Sequence, residues 1–201
     1  MAKIAVDVVL LPSEEVTNQA IEANKGLLEQ YADPIILDKE NCLPHISLAM
    51  GCINERYTTN IEKILKTIAE KYNPGQLSII GINTRTNSLG EKVSAFEVEK
   101  TERLQSLHKE IMRRITSYFS YDVTAEMVLS PPKACESTLL WIKNYPEKSA
   151  FENFFPHITI GYGQVDDISF TAEFTAPKLA LCHLGNHCTC RKLLAAAELE
   201  C

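Results

Sequence analysis

The chain reads as a single α+β domain built on mostly antiparallel sheets. Three observations predict this class. Strand-like and helix-like segments interleave but include a hairpin, which argues against a doubly wound parallel sheet. The turn after the first strand, Leu11-Pro12-Ser13-Glu14, carries none of the glycines of a dinucleotide or phosphate loop. One short motif occurs twice, once in each half of the chain, so each half contributes an equivalent strand.

The elements follow in order. Residues 3–11 are apolar and β-branched and end at Pro12, the pattern of a buried strand. Ser13 is placed to cap a helix over 14–31, with Glu14 and Glu15 where the helix dipole favours them and Val16, Ala20, Ala23, Leu27 and Tyr31 at helical spacing. Asp33-Pro34 breaks it, and a short strand is expected at 35–37. Residues 45–50 form another strand. Asn54 caps a second helix with Tyr57, Ile61, Ile64, Ile68 and Tyr72 on one face, stopped by Asn73-Pro74-Gly75. Strands at 77–83 and 92–99 are joined by a polar turn over 84–91. Thr101 caps a third helix whose stripe is Leu104, Leu107, His108, Ile111, Ile115 and Tyr118. Residues 129–137 read as loop. Strands are expected at 138–143, carrying Trp141, and at 157–162, 169–175, 178–184 and 188–199.

Composition narrows the function. Twenty basic against 26 acidic residues leave a net charge of −6. Sequence-independent binding to long nucleic acid rests on lysine and arginine neutralising phosphates, and this balance argues against it. No apolar run reaches the length of a membrane span. Seven cysteines without a framework, in a chain whose N-terminus reads as a strand and not as a signal peptide, are expected to be reduced thiols in the cytoplasm. A monomer is expected.

The repeat is the strongest signal. Residues 44–51 read PHISLAMG and residues 156–163 read PHITIGYG. On an alternating strand, His45, Ser47 and Ala49 share one face, and Ile46, Leu48 and Met50 the other. The second copy sets His157, Thr159 and Gly161 against Ile158, Ile160 and Tyr162. The Cα atoms that carry imidazole and hydroxyl then stand about 6–7 Å apart along each strand, so one phosphate could touch both side chains. Two histidines across a cleft suit acid–base chemistry at phosphorus, since imidazole titrates near neutrality. The two hydroxyls can donate to non-bridging oxygens as charge builds there. Ala49 and Gly161 are expected to leave room beside them.

Two such strand-borne motifs, His45-Ile46-Ser47-Leu48 and His157-Ile158-Thr159-Ile160, resemble those of the 2H phosphoesterase superfamily. Its members include RNA 2′,3′-cyclic phosphodiesterases, 2′-5′ RNA ligase-like proteins and 2′,5′-oligoadenylate phosphodiesterases. Pro156 and the opening strand Val6-Asp7-Val8-Val9-Leu10-Leu11-Pro12 fit the same resemblance. It implies one bilobal, pseudo-twofold domain over residues 1–201, with two mostly antiparallel sheets flanked by helices around a central cleft. It further implies metal-independent hydrolysis of a 2′,3′-cyclic phosphate or 2′-5′ phosphodiester in a small nucleotide or short RNA end, with no cofactor. His157 is favoured as base and His45 as acid.

Other residues weigh less. Arg191 and Lys133 are weak candidates for substrate contact. His108 lies in a buried stripe and reads as a core histidine. His183, His187, Cys188 and Cys190 form a local cluster whose spacing matches no common zinc site, so a hairpin with packed thiols is favoured over a metal. Tyr118, Phe119 and Tyr121 could offer a base-stacking ring, with core packing favoured for at least two. A non-catalytic nucleotide binder using the same cleft is the alternative, and a protein-interaction module the third reading.

Overall fold

A computed structural model describes residues 2–87, 89–165 and 171–199. Eight strands and four α-helices are present among them. In chain order they are β1 (Lys3–Leu11), α1 (Glu14–Lys25), β2 (Ile46–Asn54), α2 (Thr58–Ala69), β3 (Leu77–Thr86), β4 (Lys92–Val98), α3 (Glu102–Ile115), α4 (Glu136–Lys148), β5 (His157–Tyr162), β6 (Ala172–Phe174), β7 (Lys178–Leu184) and β8 (Cys190–Glu198). All strand pairings are antiparallel, in the order β6-β3-β4-β5-β2-β1-β7-β8. The antiparallel strands join into one eight-stranded sheet in place of the two sheets expected, and the two halves are visible in its order. Four strands lie on each side of the β5–β2 junction, and the junction is a single residue pair, Ile46 with Ile158. Helices α2 and α3 pack on the half containing β2, and α1 packs on β5 of the other.

Sequence pattern explains most elements. Ile61, Leu65 and Ile68 put one apolar stripe of α2 into the core. Thr101 caps α3, its hydroxyl accepting from the Leu104 N–H at 3.2 Å. Several expectations need correction. Ser13 makes no side-chain cap, although α1 starts beside it. That helix stops at Lys25, six residues early, because Gly26 weakens it and the amide of Asn24 pulls the following chain back across it. The strand expected at 35–37 is an extended segment whose only ladder is that amide: Asn24 donates to Ile35 O at 2.8 Å and accepts from Leu37 N at 3.0 Å.

Residues 138–143 are not a strand but lie within α4. Thr138, Ile142 and Tyr145 form its buried stripe, while Trp141 is 46% exposed on the far side. Pro146 lies inside the helix near its C-terminal end. Residues 169 and 170 of the expected 169–175 strand lie outside the described residues, and β6 covers its end. The thiols are not all reduced: Cys182 and Cys190 form a disulfide across the β7–β8 hairpin, with Cα atoms 5.5 Å apart. Antiparallel pairing brought together two cysteines whose spacing alone carried no such message. No helix among the described residues is long and apolar enough to cross a membrane.

Candidate active site

The single Ile46–Ile158 pair makes the two motif strands neighbours, antiparallel, with both isoleucines fully buried. The motif histidines and hydroxyls flank that pair on the opposite face. The junction of the two halves and the candidate site are therefore the same place. Each half delivers its histidine in the same way. His45 Nδ1 lies 2.8 Å from Leu43 O, and His157 Nδ1 lies 2.8 Å from Phe155 O. A carbonyl only accepts, so each Nδ1 carries the proton and each neutral ring keeps its lone pair on Nε2.

Each motif strand bulges at its fourth position. Val8 pairs with Ala49 and Val9 with Ser47, leaving Leu48 as the extra residue. Ser94 pairs with Gly161 and Ala95 with Thr159, leaving Ile160 extra. This corrects the strict alternation expected from sequence. Past the bulge the faces exchange, so Ala49 and Gly161 turn away from the histidines. A Cβ on Gly161 would sit 3.0 Å from Asn24 Nδ2 and 3.3 Å from Leu27, so the glycine makes room for α1 and not for a ligand. Met50, opposite Asp7, and Tyr162, opposite Val93, turn instead towards the motif face. A bulge leaves a carbonyl outside the ladder, and here buried side chains hold both: Asn24 of α1 donates to Ile160 O at 2.8 Å, and His108 Nδ1 of α3 donates to Leu48 O at 2.7 Å. His108 is the core histidine expected; its Nε2 accepts from Phe151 N, and its ring stacks on Phe154.

Two residues at the site escaped the sequence reading. Asp7 of β1 is fully buried, and neither carboxyl oxygen has a partner at hydrogen-bond geometry. Its Oδ2 lies 4.0 Å from His45 Nε2. Burial pushes Asp7 up to about 8; the Ser47 hydroxyl and the Ala49 backbone, close by but short of hydrogen-bond geometry, offset only part of that. It is thus protonated at neutral pH. Burial also lowers His45 to about 4, partly offset by the Leu43 carbonyl and reinforced by the nearby His157. Burial lowers His157 too, with the charge of Arg85 acting in the same direction. Arg85, the second missed residue, sits at the end of β3 in the stretch read as a turn. Its guanidinium lies 3.6 Å above the Phe155 ring, and that ring stacks on His157. An aspartate inside an apolar strand carries a sequence signal; Arg85 carries none until β4 joins β3 to β5.

Arg191 lies against Gly185 and beside Cys42, and Lys133 is exposed near Glu126. Among the described residues no hydrogen bond or ion pair joins either to the four motif side chains. The cluster from His183 to Cys190 is split: Cys190 is in the disulfide, His183 Nε2 contacts Met127 O, and His187 and Cys188 face α4. Tyr118 packs edge-on to Tyr57, and Phe119 lies against Gly51 and Tyr121, so these rings serve packing.

Comparison with known proteins agrees with this architecture. The family model of the 2′-5′ RNA ligase superfamily matches residues 12–181. Among solved structures, TT0787 of Thermus thermophilus matches with a TM-score of 0.66 at 15% identity over 98% of both chains. E. coli LigT in its apo form matches at 0.56 and 12%, and a protein described as a phosphoesterase at 0.58 and 13%, each over 100% of both chains. At such identities these likenesses speak for the fold.

Proposed function

Since the chain belongs to the 2′-5′ RNA ligase superfamily, we propose that it is a metal-independent phosphodiesterase that opens a 2′,3′-cyclic phosphate, or cleaves a 2′-5′ phosphodiester, in a small nucleotide or short RNA end. The observation that carries this reading is the matched pair of imidazoles, each anchored through Nδ1 to the carbonyl two residues before it and each keeping Nε2 for chemistry.

Burial disfavours protonation of both rings, but their neighbours differ, Arg85 beside His157 and Asp7 beside His45, and this supports His157 as base and His45 as acid. Arg85 disfavours protonation of His157, which suits a base. His45 has the protonated Asp7 behind it, which suits an acid that must be resupplied. His157 Nε2 takes a proton from water as the water oxygen bonds to phosphorus. The bond from phosphorus to the ribose oxygen breaks, and that oxygen takes the proton from His45. The anionic phosphate favours the imidazolium that His45 lacks in the free protein: the Asp7 proton passes to His45 Nε2 and on to the leaving oxygen, and the proton that His157 took from water returns through solvent to Asp7. Ser47 and Thr159 donate to the non-bridging oxygens. The resemblance to cyclic phosphodiesterases points to a 2′-phosphate product.

Steady-state kinetics on 2′,3′-cyclic AMP test the reading. His45→Ala and His157→Ala should each lower kcat/KM by about 10²–10⁴. Ser47→Ala and Thr159→Ala should cost about 10²–10³ at most. Wild-type turnover should persist in EDTA. A folded histidine variant with near wild-type turnover, or binding of the nucleotide without turnover, contradicts the mechanism.

A further inference from the structure

A second set of nucleophile, base and acid lies beyond the motif strands, drawn from three distant parts of the chain. Cys135 immediately precedes α4, His187 lies in the 3₁₀ turn Asn186–Cys188, and Asp33 lies in the segment after α1. Cys135 Sγ is 3.7 Å from His187 Nδ1, and His187 Nε2 is 3.0 Å from Asp33 Oδ2. The carboxylate can only accept from Nε2, so the neutral ring keeps its lone pair on Nδ1, which the Tyr162 hydroxyl at 3.1 Å and the Cys135 thiol share. The His187 side chain is 6% exposed and sits on a left-handed backbone, φ 59°. Asn186 holds the frame: its Oδ1 accepts from Cys135 N at 2.8 Å and from the Thr138 hydroxyl at 2.9 Å, and its Nδ2 donates to Asp33.

We propose that Cys135, His187 and Asp33 form a reactive thiolate site for exchange with small-molecule disulfides. His187 takes the thiol proton. The thiolate attacks one sulfur of the disulfide, a Cys135–S–S–R bond forms as the S–S bond of the reagent breaks, and the departing thiolate recovers the proton from His187. Acyl transfer fits less well, because the Cys135 N–H that would face an oxyanion is already bonded to Asn186. A thiolate leaving group asks only for a proton. The other described free thiols are unlike Cys135. Burial pushes Cys42 up to about 12, Cys52 up to about 11, and Cys188 further still. Burial would raise Cys135 as well, but hydrogen bonds from Ser137 and Thr138 hold it below the ordinary thiol value. The groups facing the sulfur are His187 with Asp33 behind it, Tyr162 through the same Nδ1 at 3.1 Å, Tyr31 with its partner Glu91, and Cys188. Tyr162 shares the strand face of His157 and Thr159, so an adduct on Cys135 would stand beside the candidate cleft.

The test is residue-resolved mass spectrometry of the intact wild-type chain with oxidised glutathione, and with iodoacetamide as a second probe. Cys135 should react about tenfold or more faster at pH 7 than Cys42, Cys52 or Cys188, and its rate should reach half-maximum below the ordinary thiol pKa of about 8.5. His187→Asn should slow Cys135 at pH 7 by about tenfold, a difference that closes above pH 9 where the thiol ionises unaided. The wild-type profile stands even if that variant fails to fold. A Cys135 rate no greater than that of the buried thiols, or a half-maximum at or above about 8.5, overturns the proposal. None of these readouts depends on phosphodiesterase activity.

Discussion

At the scale of single residues, Asp7 is a costly side chain, a fully buried carboxyl 4.0 Å from His45 with neither oxygen at hydrogen-bond geometry. Its proton makes it testable. In the reading above, activity should fall as pH rises through about 8, where Asp7 loses that proton. Asp7→Asn keeps the shape but cannot exchange a proton. Its kcat should drop by about tenfold or more, and the alkaline limb near pH 8 should vanish from its profile. An unchanged alkaline limb refutes the coupling. Stability gives a second readout. The folded value lies above the ordinary 3.8, so Asp7 stabilises fully below that value and loses the contribution as pH rises through about 8. Thermal melts at pH 6.5 and 9, above the range in which His45 and His108 titrate, should therefore show wild type losing ground to Asp7→Asn. A constant gap between the two proteins contradicts it.

At the scale of elements, two bulges shape the motif strands, and two buried polar residues make the bulges tolerable. Asn24 satisfies Ile160 O, Ile35 O and Leu37 N together. Asn24→Ala strands all three buried groups, each worth about 1–3 kcal/mol when left unmade. A loss of about 3 kcal/mol or more in urea unfolding is expected, with Tm down by roughly 6–12 °C at this chain length. A loss below about 1 kcal/mol would mean that the bulge repacks freely. Because Ile160 follows Thr159 directly, the same variant should lower kcat/KM on 2′,3′-cyclic AMP even where it is fully folded.

At the scale of the molecule, two half-sheets meet through one residue pair, and the outer hairpin of one half is closed by a disulfide. Cys182 and Cys190 are 8 positions apart. Closing so short a loop is worth about 2–3 kcal/mol in the chain-entropy picture. Melting in reductant should therefore fall by about 5–10 °C. Alkylation of all seven cysteines in denaturant without reductant would show that the bond is absent. The seam can be this narrow because one hydrophobic core runs beneath both halves, joining Val6 and Leu48 on one side to Phe96 and Ile158 on the other.

Sequence by itself determined the α+β class and most strands and helices, and it singled out the four motif residues as candidates, because periodicity and local repetition are written along the chain. The duplicated His-x-Ser/Thr segment was legible since both copies keep the same flanks. Tertiary structure alone decided what depends on pairing between distant segments. The register shifts at Leu48 and Ile160 arise from neighbouring strands, so no alternation rule within one strand could show that Ala49 and Gly161 turn away. Asp7 acquires its chemistry only when β1 lies beside β2, and Arg85 only when β3 and β4 bring it to Phe155. Cys182 and Cys190 were seen as two thiols until a hairpin faced them. Helix α4 replaces the strand expected at 138–143 because its buried stripe is defined by the sheet it packs against. Local chemistry is encoded by residue order, but the field, burial and partners of each group are set by residues that sequence keeps far apart.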